Sequence, residues 1–326
     1  MISRVAHGSL ALTFALIVVV PVRATPSSLP AEVGYNAGEQ ETARSAALGG
    51  AVRAIGSSVD GLYVNPAGMA TTRVYHLMGG VQIWPQARRQ TYGGAAVDSV
   101  VNRQRIAGGI AANWTTQDQD ALDRGSFDFR FGMAVPLSDK LFAGATFKYL
   151  SLTEGGAPAN VGLQPSLASG GLSGNPIVSQ ITFDAGLTAR LTDQVWLGAV
   201  GTNLTDPGNR FLPLTFGGGL GYGTDQFSLE LDAVSDFSTY DQTRWKMMGG
   251  GELLLADSFP VRAGYRYDEG LGSHSISGGL GYVAPEFALE GGVRGVVVGQ
   301  RSLTVVIALR YHLDSGGGFA VGSEDQ

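Results

Sequence analysis

From Arg73 to near the end of the chain, apolar side chains alternate with polar or small ones in runs of about ten residues, each closed by a turn. Little else in the sequence constrains the fold so tightly. Successive side chains of a strand point to opposite faces, whereas a helix would scatter a period of two around its circumference. In Phe127-Asp128-Phe129-Arg130-Phe131 the rings share one face and the charges the other. The same parity runs through Ile181-Thr182-Phe183-Asp184-Ala185, Phe227-Ser228-Leu229-Glu230-Leu231-Asp232, Val261-Arg262-Ala263-Gly264-Tyr265-Arg266-Tyr267 and Leu303-Thr304-Val305-Val306-Ile307-Ala308-Leu309-Arg310-Tyr311.

About fourteen such segments follow one another, an even number typical of transmembrane barrels. They begin near Arg73, Arg89, Arg105, Gly125, Lys140, Val178, Gln194, Phe211, Gln226, Thr243, Phe259, Gly272, Glu286 and Ser302. Short connections at Ser138-Asp139-Lys140, Thr192-Asp193-Gln194, Thr224-Asp225-Gln226, Ala256-Asp257-Ser258 and Ala284-Pro285-Glu286 alternate with longer ones that include residues 153–177, 203–210 and 268–273. A soluble β-sandwich also alternates along its strands. It gives no reason, however, for long and short loops to alternate over so many hairpins. The reading is therefore all-β: a transmembrane antiparallel barrel of about fourteen strands, with both termini on the periplasmic side.

Composition agrees on what lies outside such a barrel. Glycine supplies 49 of 326 residues and charged residues 15%, against roughly 7% and 25% in ordinary proteins. A soluble globule would carry more surface lysine and glutamate; lipid is the expected partner of the apolar face. Aromatic residues fall near strand ends, as two interfacial girdles require: Trp84, Trp114, Phe127, Tyr149 and Trp245 at one level, Tyr222, Phe227, Phe259, Tyr282, Phe287 and Tyr311 at the other. With no cysteine, disulfides, thiolate nucleophiles and cysteine-based metal sites are excluded. A closed hydrogen-bonded barrel supplies rigidity instead, because it has no unpaired edge. A net charge of −6 leaves no basic footprint for nucleic acid.

The N-terminal part reads differently. Arg4 and His7 precede an apolar run from Leu10 to Val20, then Pro21 and Val22-Arg23-Ala24, the pattern of a secretory signal peptide spanning residues 1–24. Residues 25–72 do not alternate. They are too structured for a linker and too few to fold alone, so they are expected to form a plug, or hatch, with short helices inside the barrel of residues 73–313. Arg44, Leu48 and Val52 stand at helical spacing, although Gly49 and Gly50 weaken a long helix. Asn65-Pro66 has the form of an N-cap followed by proline at the first helical position. A polar tail, 314–326, ends the chain.

Strand parity places Asp128, Arg130, Lys148, Asp184, Arg190, Glu230, Asp232, Glu252, Arg262, Arg266, Glu290, Arg294 and Arg310 on the lumen face. Mixed signs in a confined lumen are expected to pair with one another and with the plug rather than form a single-sign filter. In the plug, Arg44, Arg53, Asp60 and Asn65 are the groups expected to bond the wall; Arg44 or Arg53 would alternatively meet a ligand carboxylate. Enzymatic chemistry is not expected. His76, His274 and His312 fall on three separate strands, and no Ser-His-Asp spacing, His-x-x-x-His pair or phosphate loop appears. Neither metal nor cofactor is implied.

Ala43-Arg44-Ser45-Ala46-Ala47-Leu48-Gly49-Gly50-Ala51 and Asp60-Gly61-Leu62-Tyr63-Val64-Asn65-Pro66-Ala67-Gly68-Met69-Ala70 resemble the N-terminal hatch of FadL-type outer-membrane transporters and their PorV-type relatives. The Asn65-Pro66-Ala67-Gly68 element is the most specific part. Leu212-Pro213-Leu214-Thr215-Phe216 and Ser277-Gly278-Gly279-Leu280-Gly281-Tyr282 are further echoes. The resemblance implies a Gram-negative outer-membrane barrel of fourteen strands with a hatch, taking up small hydrophobic compounds such as fatty acids or aromatic hydrocarbons by passive, hatch-gated passage. It also implies a lateral gate at a kinked third strand, which here contains Gly108-Gly109. The PorV-type alternative is a scaffold that anchors or hands over a secreted protein, and a purely structural barrel is a third reading. The chain is short for the transporters, and its polar tail replaces their usual terminal aromatic.

Overall fold

A computed structural model describes residues 40–100, 106–117, 124–154, 175–209 and 211–312. The signal-peptide and tail expectations, and much of the long connection after residue 154, lie outside these residues.

Fourteen antiparallel strands follow in order: β1 Tyr75–Trp84, β2 Arg89–Asp98, β3 Ala107–Gln117, β4 Arg124–Pro136, β5 Leu141–Glu154, β6 Asn175–Arg190, β7 Val195–Thr202, β8 Thr215–Gly223, β9 Phe227–Asp236, β10 Arg244–Leu255, β11 Phe259–Asp268, β12 Ser273–Val283, β13 Phe287–Val298 and β14 Leu303–His312. Each pairs with its sequence neighbours, and β1 pairs with β14, so the sheet closes on itself. Closure satisfies both edges, which lets a sheet cross a bilayer without exposing backbone polar groups to lipid. Among the described residues no helix is long and apolar enough to cross a membrane.

Parity decides the two faces. Leu231 is 67% exposed while its neighbours Glu230 and Asp232 are buried; Phe183 and Ile307 face outward beside the inward Asp184 and Ala308. The outer surface is thus a belt of Leu, Phe, Ile, Met, Tyr and Trp, which water would not tolerate at this extent and lipid does. Trp84 is a correction to the expected girdle. It is only 1% exposed, because it shares the inner parity of Met78 and Gln82, and the Arg89 guanidinium lies 3.8 Å from its ring centroid.

One strand begins later than the alternation predicts. The segment expected to start at Phe211 enters the sheet only at Thr215. The Asn209 side chain accepts from the Phe211 and Leu212 amides, both at 3.0 Å, which closes a local turn, and Pro213 offers no ladder donor. Phe211 and Leu212 are consequently both turned inward, where they cluster with Leu150, Leu152 and Val178 of β5 and β6.

Residues 40–72 run through the lumen. A helix α1, Ala43–Ala47, carries a Thr42/Ser45 capping box and packs against β11 to β14. It stops where Gly49 and Gly50 take φ values of +70° and +92°, a conformation that glycine adopts without steric cost. A second helix α2, Val59–Val64, meets β2, β3 and β4, and the 3₁₀ turn Pro66–Ala70 rests on β3 to β6. Asn65 caps that turn through its side chain, with proline following.

Tyr75 and His312 lie at the same end of the barrel, the end that also carries the short turns. Gln40, in contrast, lies beside Gln82 near the opposite, long-loop end. The interior segment therefore descends the lumen before β1 begins.

Candidate functional site: the ion-paired lumen

Every one of the thirteen charged positions assigned to the inner face by parity is buried or half-buried in the structure. They sort into connected groups. Glu290 bridges Arg310 at 2.8 Å and Arg262 at 2.7 Å. Arg262 also meets Glu252, which meets Arg44 at 3.2 Å, and Arg44 meets Asp60 at 3.2 Å. The chain of charges thus runs from the β14 wall into the interior segment. Burial alone would lower the Arg44 pKa, but Glu252 and Asp60 outweigh it and hold the guanidinium above its ordinary value.

A second anchor lies on β9. Asp232 accepts from the Val52 amide at 3.0 Å, the Arg53 amide at 3.1 Å and Arg53 Nη1 at 3.0 Å. Glu230, two residues earlier on the same face, accepts from the amides of Ala54 and Ile55. Consecutive backbone donors at residues 52–55 have no helical or sheet partner there, and two carboxylates supply it. Arg44 and Arg53, considered as ligand-carboxylate receptors in the sequence, are both committed to acidic residues of the protein.

Sequence reasoning missed several partners. Glu41 binds Arg294 at 2.5 and 2.7 Å, with Arg266 at 4.0 Å. Tyr63 donates its hydroxyl to Asn113 at 3.2 Å, and its carbonyl accepts from Arg130, which is also paired with Asp128 at 2.9 Å. Burial pushes the Tyr63 phenol up to about 12, so it remains a neutral donor. Lys148 and Asp184 pair at 2.8 Å. Asn65 donates to Arg53 O at 2.7 Å, Leu187 O at 3.2 Å and Thr188 Oγ1 at 3.1 Å. Glu41 and Asn113 sit dozens to hundreds of residues from their partners, and only closure of the barrel brings them together.

Glycines make room for this interior. A Cβ added at Gly144 would lie 2.4 Å from Pro66 C and 2.6 Å from Ala67 N; one at Gly68 would lie 2.0 Å from Gly56 O. Gly109 has the same role. Its added Cβ would lie 3.0 Å from Met69 Sδ and 3.3 Å from a Leu62 methyl. At Gly108-Gly109, where a lateral gate was expected, β3 shows no bulge: it is paired without a register shift to β2 and to β4 through both residues. The inner glycine accommodates the interior segment, and the outer one faces open space.

Two open volumes flank the segment. Toward the long loops is a cavity of about 110 Å³, lined by Tyr63, Val64, Phe211, Leu212, Val234 and Met248 together with Arg53, Lys148 and Asp184. At the short-turn end is a cleft of about 540 Å³ beneath Ala70 and Thr71, bordered by Phe142, Arg190 and Trp196.

The histidines fall on three separate strands, as expected: β1, β12 and β14. His76 and His312 lie on separate strands, yet closure of β1 against β14 brings their rings to 4.6 Å, and Ser58 Oγ sits 2.8 Å from His76 Nδ1. His274 lies 2.5 Å from the Tyr265 hydroxyl on the outer face.

This closed barrel with an occupied lumen matches solved structures. The CymD monoaromatic hydrocarbon channel aligns with a TM-score of 0.60 at 16% identity, over 83% of this chain and 96% of that one. The chain has the fold of these FadL-type barrels. The toluene transporter TodX of P. putida aligns at 0.60 and 14% identity over 85% and 99% of the two chains. A Pseudomonas aeruginosa FadL homologue gives 0.58 and 16% over 85% and 99%. At these identities the likeness is one of fold. No family model matches the sequence, and no curated protein matches it. Within this barrel, one open volume lies above the interior segment and another below it.

Proposed function

We propose that this barrel lies in the outer membrane, with its short turns in the periplasm, and passes small, largely apolar molecules down their gradient. The observation that carries the reading is the cavity above the interior segment, where Phe211 and Leu212, packed on Leu150, Leu152 and Val178, form an apolar wall opposite charged residues such as Arg130 and Lys148. Phe211 and Leu212 give the cavity an apolar wall beside its charged lining, a surface that a water-filled pore does not need. Its volume, about 110 Å³, is near that of engineered cavities of ~150 Å³ that hold benzene. A volume of that order suits one small ring better than a fatty acyl chain. The likeness to channels described for toluene and monoaromatic hydrocarbons supports the same size class.

The gate, on this reading, is the part of the interior segment that carries no charge. Residues 41–55 are bonded to acidic and basic groups of β9, β10 and β13. The Pro66–Ala70 turn is instead held by packing on glycines and by Asn65, and it separates the two open volumes. Small local openings of such weakly bonded elements cost far less than release of a buried ion-pair network.

Uptake of labelled toluene and palmitate by Gram-negative cells with and without the chain tests the proposal. Faster toluene uptake with palmitate unchanged is expected; equal uptake of both with and without the chain would overturn it. Since the chain has no cysteine, a disulfide between Met69→Cys and Gly109→Cys should block toluene until reduced. One between Ala47→Cys and Ser277→Cys, on the bonded side, should not.

A further inference from the structure

The cleft at the short-turn end has chemistry of its own. Trp196, at the start of β7, and Phe142, at the start of β5, both face inward, with ring centroids 6.3 Å apart and planes 29° from parallel. Arg190, at the end of β6, places its guanidinium carbon 5.8 Å from the Trp196 ring centroid. Among the described residues its Nε is buried without a hydrogen-bond partner, and its Nη2 reaches only the Asp139 carbonyl, at 3.5 Å. Arg73 borders the same cleft. Asp139, the one acidic residue lining it, lies on an exposed turn, where water screens its charge.

We propose that this cleft is a binding subsite for an aromatic carboxylate. A planar ring stacks on an aromatic face most favourably in the offset geometry that the Trp196–Phe142 pair presents. A guanidinium whose accessible Nη groups meet, among the described residues, only one carbonyl at 3.5 Å gains from a planar, bidentate anion, and carboxylate matches its fork. Ring and charge are adjacent here, with Arg190 beside Trp196, so the ligand must carry its carboxyl directly on or one carbon from the ring. An uncharged hydrocarbon satisfies the aromatic pair alone and leaves the Arg190 donor orphaned, which makes it the weaker ligand. The subsite rests on the uptake reading in one respect: it lies directly beneath the Pro66–Ala70 turn, on the periplasmic side of the proposed gate, where a molecule leaving the barrel would pause.

Benzoate is the probe, added to the purified full chain in detergent micelles while tryptophan fluorescence is recorded. Saturable quenching is expected. It should vanish in Trp196→Phe and weaken at least tenfold in affinity in Arg190→Gln, while toluene quenches more weakly than benzoate in the wild type. Heat-modifiable gel mobility shows that each variant is folded, and Leu231→Ala on the outer face is the control that should leave quenching unchanged. Quenching that survives Trp196→Phe, or an affinity unmoved by Arg190→Gln, overturns the subsite. The two readings separate cleanly. Toluene uptake without benzoate quenching refutes the subsite and spares the channel, whereas quenching at Trp196 in a chain that takes up no toluene refutes the channel and spares the subsite.

Discussion

The most informative single perturbation is Asp232→Asn. One carboxylate oxygen, fully buried, accepts from two consecutive backbone amides and from the Arg53 guanidinium. The substitution keeps the shape and one neutral acceptor but removes the charge, leaving a mostly buried Arg53 without its counter-ion. Removing one partner of a buried pair costs about 3–5 kcal/mol. Each 1.4 kcal/mol is a factor of ten, so the local opening of residues 50–55 should become about 10² to 10⁴ times more populated. Hydrogen exchange in micelles reads this directly: the Val52 and Arg53 amides should exchange faster by at least roughly a hundredfold, whereas the Leu231 amide in the β9 ladder should not change. The double variant with Arg53→Met should lose less than the sum of the two single losses, because both remove the same interaction. Unchanged exchange at Val52 and Arg53, or equal acceleration throughout the barrel, would refute the idea that wall carboxylates pin the interior segment.

Three further outcomes follow from the same geometry. Leu231→Arg, at the middle of β9 on the outer face, should lower stability in lipid vesicles by ~2–4 kcal/mol, read from the denaturant midpoint; no loss would mean that Leu231 does not meet lipid. Asn65→Ala removes the hydrogen bonds that its amide shares among three acceptors and the cap of the Pro66–Ala70 turn, worth about 2–4 kcal/mol together, and the Ala67 and Gly68 amides should then exchange faster while the β9 ladder does not change. Gly144→Ala adds one methyl where backbone atoms of Pro66 and Ala67 lie within 2.6 Å; overpacking of this kind costs roughly 1–3 kcal/mol, and an unchanged denaturation midpoint would show that the turn is not seated there.

The barrel was legible because its rule is local. Phe183 and Asp184 declare their faces from adjacent positions, and repeating that parity locates fourteen strands without any knowledge of what each one touches. Where the rule failed, a local feature overrode it: the Asn209 turn and Pro213 delay β8 until Thr215, and the inner parity of Trp84 removes it from the interface. The charged lumen residues were visible by parity, but their partners were not. Nothing near Glu41 points to Arg294, and nothing near Phe142 points to Trp196; those pairings exist only once β5 meets β7 across one mouth and α1 packs on β13. Gly108-Gly109 shows the converse limit. Sequence identifies a place where a strand can bend, but packing by Met69 and Leu62 uses the missing side chain for something else.

The account depends on opposite environments for adjacent side chains, and lipid-borne quenchers measure that most directly. Single cysteines placed at Leu231, Phe183 and Ile307, and at their neighbours Asp232, Asp184 and Ala308, would carry a fluorophore in vesicles of brominated lipid. Strong quenching at the first three and little at the second three is the predicted result. Equal quenching at both members of each pair, or the reverse parity, would contradict a lipid-facing outer wall around a protein-filled lumen.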